Sequence, residues 1–208
     1  MQDAKRAAEL CQLVADQHTS LEFAIIGGDE LRVRALIEAG ANINATNKGG
    51  GTALMIASTR GHEPCARALI EAGANINATQ ERGRTALMIA STMGHEPCAR
   101  ALIEAGANIN ATEKVGWTTL IIASAEGHEP CVRALIEAGA NINATEKDGG
   151  TALMFASSNG HEPCARALIE AGDNINATDK RGGTALWIAS TRGHEPCACA
   201  LIEAGAKR

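Results

Sequence analysis

Gly61-His62-Glu63-Pro64-Cys65 is written five times in this chain of 208 residues, its histidine falling at His62, His95, His128, His161 and His194, always 33 residues apart. A fixed period of this size marks a stacked-repeat architecture, in which one supersecondary unit is laid on the next and a single core runs along the stack. Working outward from the refrain, residues 46–78 read as one unit. Lys48-Gly49-Gly50-Gly51 is a turn tip, since glycine supplies positive φ at no steric cost. Thr52 is placed to cap a helix over Ala53 to Ser58, which Gly61 ends. Pro64 suits the first turn of a second helix, where a missing N–H costs nothing. Cys65, Ala66, Ala68, Leu69 and Ile70 follow with helical periodicity, Gly73 caps the end, and Asn75-Ile76-Asn77 leads out as an extended arm.

Composition agrees with thin helical layers. Aromatic residues are confined to Phe23, Phe155, Trp117 and Trp187, so the core falls to Ala, Leu, Ile, Met and Cys. Net charge is −5 with acids and bases mixed, and no basic stripe of the kind nucleic-acid binding needs is present. No apolar run approaches a membrane span, and Met1 to Arg6 lacks the apolar stretch of a secretory signal, so a cytoplasmic setting is expected. Cys65, Cys98, Cys131, Cys164 and Cys197 hold one equivalent place per unit. Stacked helices lie ~8–10 Å apart, beyond the ~7 Å reach of a disulfide between Cα atoms, so these thiols read as reduced core residues.

The order Gly-Thr-Ala-Leu-Met-Ile-Ala-Ser, Gly-His, then Leu-Ile-Glu-Ala-Gly-Ala-Asn-Ile-Asn-Ala resembles the ankyrin repeat over roughly residues 19–207. The resemblance implies an all-α ankyrin-repeat solenoid of paired antiparallel helices with short hairpin connections. Its parts are an N-terminal helix (1–18), a capping repeat (19–45), repeats at 46–78, 79–111, 112–144 and 145–177, and a C-terminal repeat (178–208). Residues 3–16 carry the amphipathic pattern Ala7, Leu10, Cys11, Val14. Two features depart from the pattern. The family's Thr-Pro-Leu-His is here Thr-Ala-Leu-Met, Thr-Thr-Leu-Ile (Thr118 to Ile121) or Thr-Ala-Leu-Trp (Thr184 to Trp187), so packing by Met, Ile or Trp must replace that histidine's hydrogen bonds. The last unit, ending at Ala206-Lys207-Arg208, is written almost as an interior one, with an apolar end.

Near-identical copies also show where the chain differs from itself. Turn tips vary most: Lys48 in the first, Glu81, Arg82 and Arg84 in the second, Lys114, Val115 and Trp117 in the third, Lys147 and Asp148 in the fourth, Lys180 and Arg181 in the fifth. First-helix ends vary next, at Arg60, Met93, Glu126, Asn159 and Arg192. In ankyrin proteins these two places line the concave face that grips partner proteins. Arg67, Arg100, Arg133 and Arg166, with Glu71, Glu104, Glu137 and Glu170, stay fixed on the outer face of the second helix. Drift on exposed positions would touch both faces, which favours diversification of a binding face, centred on Arg84, Met93, Val115 and Trp117, with packing over neighbouring turns the alternative for Trp117. The fixed pairs read as i,i+4 Arg–Glu contacts in the less favourable order.

Chemistry is weakly represented. His62 and Cys65 form a His-x-x-Cys pair at a helix start, but zinc wants four convergent ligands and the next pair lies a layer away. A Cys–His nucleophile lacks an orienting third group, although a helix N-terminus would lower the thiol pKa. Gly49-Gly50-Gly51 lacks the Lys-Ser/Thr of a phosphate loop. The histidine column, with Asn44, Asn77, Asn110, Asn143 and Asn176, is expected to bond from unit to unit. The sequence therefore points to a non-catalytic scaffold with no cofactor or metal, binding a protein or peptide and neither nucleic acid nor membrane. The alternative is a structural array with weak end-to-end self-association and no specific partner.

Overall fold

The computed structural model describes residues 21–207; the amphipathic pattern at 3–16 lies outside them. Among the described residues twelve helices follow in pairs. They are α1 (Leu21–Ile26), α2 (Glu30–Glu38), α3 (Ala53–Arg60), α4 (Glu63–Glu71), α5 (Ala86–Thr92) and α6 (Glu96–Glu104). Then come α7 (Thr119–Glu126), α8 (Glu129–Glu137), α9 (Ala152–Asn159), α10 (Glu162–Glu170), α11 (Ala185–Arg192) and α12 (Glu195–Glu203). First helices stack on first helices and second on second, as an all-α solenoid requires.

Local chemistry accounts for each boundary. Thr52 Oγ1 accepts from the Met55 N–H at 3.3 Å, and Thr85, Thr118, Thr151 and Thr184 cap α5, α7, α9 and α11 in the same way. At the far end of α4 the amides of Gly73 and Ala74 fold back to Ile70 O and Leu69 O, both at 2.9 Å, with Gly73 at φ +86°. Asn75-Ile76-Asn77 is not an extended arm. Asn75 Oδ1 accepts from Asn77 N at 3.2 Å and the Ala78 amide returns to Asn75 O, closing a side-chain-assisted turn that asparagine favours.

The core runs through the stack. Leu69, Leu102, Leu135, Leu168 and Leu201 are fully buried in one column, and Cys65, Cys98, Cys131, Cys164 and Cys197 in the next. Each such leucine contributes about 1.5–3 kcal/mol by leaving water. Met55, Met88, Ile121 and Met154 do fill the interior where the family's histidine would stand. Trp187 does not: it is 61 % exposed, whereas each of the other four is covered by the helix pair that follows it.

Away from the hairpin tips, three sets of polar contacts recur between neighbouring units. Asn44, Asn77, Asn110, Asn143 and Asn176 each accept, through Oδ1, the backbone N–H 31 residues ahead at 2.8–3.0 Å. The Nε2 atoms of His62, His95, His128 and His194 donate to carbonyls 36 residues back at 3.0–3.3 Å. A carbonyl only accepts, so these rings hold their proton on Nε2.

The third set corrects the expected ladder. Arg67 pairs with Glu63 on its own helix, in the favourable Glu-before-Arg order, and with Glu104 of the next unit at 3.0 Å, not with Glu71. Glu71 instead receives Arg34 at 2.8 Å. Arg100, Arg133 and Arg166 repeat the arrangement with Glu137, Glu170 and Glu203.

Candidate functional site

The variable residues converge because the hairpin tips are stitched side by side. Each tip closes on itself through bonds such as Asn47 N to Gly51 O and Gly50 N to Asn47 O, both 3.0 Å. Adjacent tips are joined by Glu81 N to Gly49 O, Lys114 N to Arg82 O and Lys180 N to Asp148 O, at 2.9–3.2 Å. At the remaining step the Lys147 ammonium donates to Lys114 O at 3.0 Å. The tips and first helices thus present one continuous strip of side chains.

Most sequence-predicted site residues are exposed there: Lys48, Glu81, Arg82, Lys114, Val115, Lys147, Asp148, Lys180 and Arg181 on the tips, and Arg60, Met93, Glu126, Asn159 and Arg192 at helix ends. Met93 and Val115 show 48 % and 52 % of their surface, unusual for large apolar side chains. Asn159 commits its amide inward, donating to Ala125 O at 2.7 Å.

Two members of the expected centre are not free. Arg84 is half-buried and bonds the Glu113 carboxylate at 3.3 Å. Trp117 is half-buried and packs on Phe155, ring centroids 4.5 Å apart at 47°. Its indole is therefore a wall of the face and not a free knob. Phe155 replaces the isoleucine found at Ile56, Ile89, Ile122 and Ile188, and the phenyl fits only because residue 150 is glycine: a Cβ there would meet its Cε2 at 2.9 Å. Sequence comparison passed over Phe155 although it breaks a column of isoleucines.

Beside this aromatic pair the face opens into a groove of about 390 Å³, running from Trp117 and Phe155 to Ile188 and the tip residues Asp148 and Arg181. A second groove of about 630 Å³ continues from it to Trp187 and Arg192, with Ser158, Asp179, Arg181 and Ile188 shared between them.

The outer face has its own explanation. The fixed arginines and glutamates form the unit-to-unit ion pairs, so their constancy follows from a structural role. The contrast between the two faces therefore reflects packing as well as recognition.

The candidate chemical groups are turned inward. The column cysteines are fully buried, and burial pushes Cys98 and Cys131 up to about 11 and Cys164 to about 12. The helix N-terminus does not lower them, as the sequence suggested, because desolvation of the thiolate outweighs it. His62 points to the backbone of the preceding unit and not to Cys65 in a shared site. Among the described residues no helix is long and apolar enough to cross a membrane.

The family model for ankyrin repeats, built on three copies, matches residues 5–80, 21–113, 77–146 and 120–207. The crystal structure of the human ASB11 ankyrin repeat domain superposes with a TM-score of 0.82 at 28 % identity, covering 90 % of this chain and 84 % of that one. No curated protein sequence matches the chain. With helix pairs, tips and inter-unit bonds all in register along the length matched, the chain belongs to the ankyrin-repeat family.

Proposed function

We propose that this protein is a non-catalytic interaction scaffold that binds a partner protein or peptide through the face of hairpin tips and first helices. Ankyrin repeats are generally protein-interaction modules. The observation that carries the reading is the stitched strip of tips, which lines up the residues that differ from unit to unit on one continuous exposed surface. Rigid backbone with variable side chains suits recognition, since little ordering entropy is lost on binding. The free thiols of the cysteine column fit a reducing, cytoplasmic setting.

The test is to capture a partner with the full chain, purify it, and measure its affinity for two variants. One replaces Arg82, Val115, Asp148 and Arg181 by serine; the other replaces Arg67, Arg100 and Arg133 by glutamine. Loss of affinity by at least tenfold in the first alone supports the reading. Equal affinity for the first variant and wild type sinks it. A second reading, self-association through α11 and α12, draws on the exposure of Trp187 and Ile202, 61 % and 52 %. Sedimentation across a hundredfold range of concentration separates the two: a constant monomer removes self-association.

A further inference from the structure

The far side of the α11–α12 pair, turned away from α9 and α10, corresponds to a surface that the other units hide. Ser58, Ser91, Ser124 and Ser157 are fully buried, whereas the equivalent Ser190 is exposed. Ile70, Ile103, Ile136 and Ile169 are half-buried, whereas Ile202 is 52 % exposed. Two substitutions set this face apart, and both fall on positions that look toward a neighbouring unit. Trp187 stands where Met55, Met88, Ile121 and Met154 stand elsewhere. Cys199 replaces the arginine that in other units crosses to a neighbouring glutamate, as Arg67 reaches Glu104 at 3.0 Å. The face thus loses a cation and gains a large aromatic side chain. It also carries a knob and a hole side by side. Trp187 projects, and a recess of about 370 Å³ opens next to it, lined by Thr184, Leu186, Trp187, Ser190 and Ile202, none of them charged.

We infer that this face docks the same face of a second copy, giving a closed two-fold pair. The pairing rests on the self-association reading above and adds its geometry. A knob beside a hole on one surface is self-complementary, because a two-fold axis sets each knob in the other copy's hole. An exposed tryptophan entering such a recess is where binding energy concentrates. The uncharged lining meets its own copy without repulsion, which arginines in place of Cys199 would bring from both sides. Head-to-tail stacking fails on the same residues. Its arginine link is lost at Cys199, and the α1–α2 unit of a second copy carries Asp29 where His62 stands. His95 bonds Thr59 O at 3.2 Å, and Thr191 O is the equivalent carbonyl on this face. Asp29 Oδ1 instead accepts the Arg32 amide at 3.0 Å, and an ionised carboxylate has no proton to give a carbonyl.

The experiment is sedimentation equilibrium of the full chain in reducing buffer, so that no Cys199 disulfide contributes, from about 1 µM to about 1 mM, the range of weak association. Monomer is expected to pass into dimer with no larger species. Trp187→Glu weakens the dimer at least tenfold. Cys199→Arg weakens it several-fold, and it keeps the fold because it restores the residue that the other units carry. Met93→Ser, on the tip and first-helix face, leaves the dissociation constant unchanged. Circular-dichroism melts of all three variants stay cooperative. Growth beyond the dimer overturns the two-fold geometry while keeping self-association. A dimer indifferent to both Trp187→Glu and Cys199→Arg overturns the assignment of this face. A constant monomer defeats this inference and the self-association reading together, and leaves the scaffold reading to its own affinity test.

Discussion

The imidazole of His95 lies directly against Gly61 of the preceding unit: a Cβ on Gly61 would stand 2.6 Å from His95 Nδ1. Gly94 with His128 and Gly127 with His161 repeat the contact at 2.5 Å, so the glycine and histidine of the refrain serve different junctions. Gly61 is needed twice, for this approach and for its φ of +71°. Gly193 has φ +76° and open space around it, so it carries only the second requirement. Gly193→Ala is expected to cost about 1–2 kcal/mol, the left-handed backbone penalty alone. Gly61→Ala costs measurably more in urea melts, and His95→Ala in the same chain removes the excess. Equal losses at both glycines would disprove the steric part.

Asp173 interrupts a column of alanines. Ala74, Ala107 and Ala140 are 7–8 % exposed, and Asp173, at 7 %, puts a carboxylate in the same buried place with no hydrogen-bond partner for either oxygen. Burial pushes its pKa from the ordinary carboxylate range up to about 7; the Asn174 amide pulls the other way but donates to Asn143 Oδ1 at 3.0 Å. A pKa raised by folding means the folded state resists ionisation. Stability is therefore greatest below pH 4 with respect to this group, falls between about pH 4 and 7, and stays low above. Asp173→Ala is expected to stabilise the protein by about 2–4 kcal/mol at pH 8 and by far less at pH 4. Melting temperatures of both proteins across that range supply the check, and parallel pH curves would reject the assignment.

The inter-unit contacts are not of equal weight. Asn110 Oδ1 receives the Asn141 amide at 2.8 Å, and Asn110→Ala leaves that backbone donor without its partner, a loss of about 1 kcal/mol. Arg100 bridges Glu96 and Glu137 in the open, where water and salt compete. Arg100→Gln is expected to shift the melting temperature less than Asn110→Ala, and 1 M NaCl should erase the difference between Arg100→Gln and wild type but not that of Asn110→Ala.

Thiol chemistry separates one cysteine from the column. Cys199 stands exposed where Arg67 and its equivalents stand in other units, while Cys98, Cys131 and Cys164 are buried with pKa values raised to about 11, 11 and 12. Iodoacetamide at pH 8 should label Cys199 faster than these three by on the order of 100-fold or more, read by peptide mass spectrometry. Denaturant should abolish the difference. Prompt labelling of Cys131 in the folded chain would contradict its burial.

The period, the caps and the buried columns were legible because each is set by local chemistry repeated many times: threonine before a helix, proline in a first turn, glycine after a last one. Asn77 and His95 were legible as inter-unit donors and acceptors for the same reason. What escaped depends on distances between units. Arg67 reaches Glu104 because the stacking offset brings them together, which spacing within one helix cannot show. Trp117 settles on Phe155 because Gly150 makes room, a three-way fit spread over two units. Asp173 and Phe155 could have been found from the sequence, since each breaks a column that is otherwise uniform in the interior units.

The recurring asparagine, histidine and arginine links between units join residues 31, 36 or 37 positions apart, so each ties a unit only to its immediate neighbour. Excising residues 79–111 would bring Asn77 opposite Asn141, Gly61 opposite His128 and Arg67 opposite Glu137, the same atoms in the same roles. Length is thus close to a free parameter of this molecule: whole units can be spliced in or out, and the reach of the tip face changes in fixed steps while the asparagine and arginine links are re-formed at the new junction.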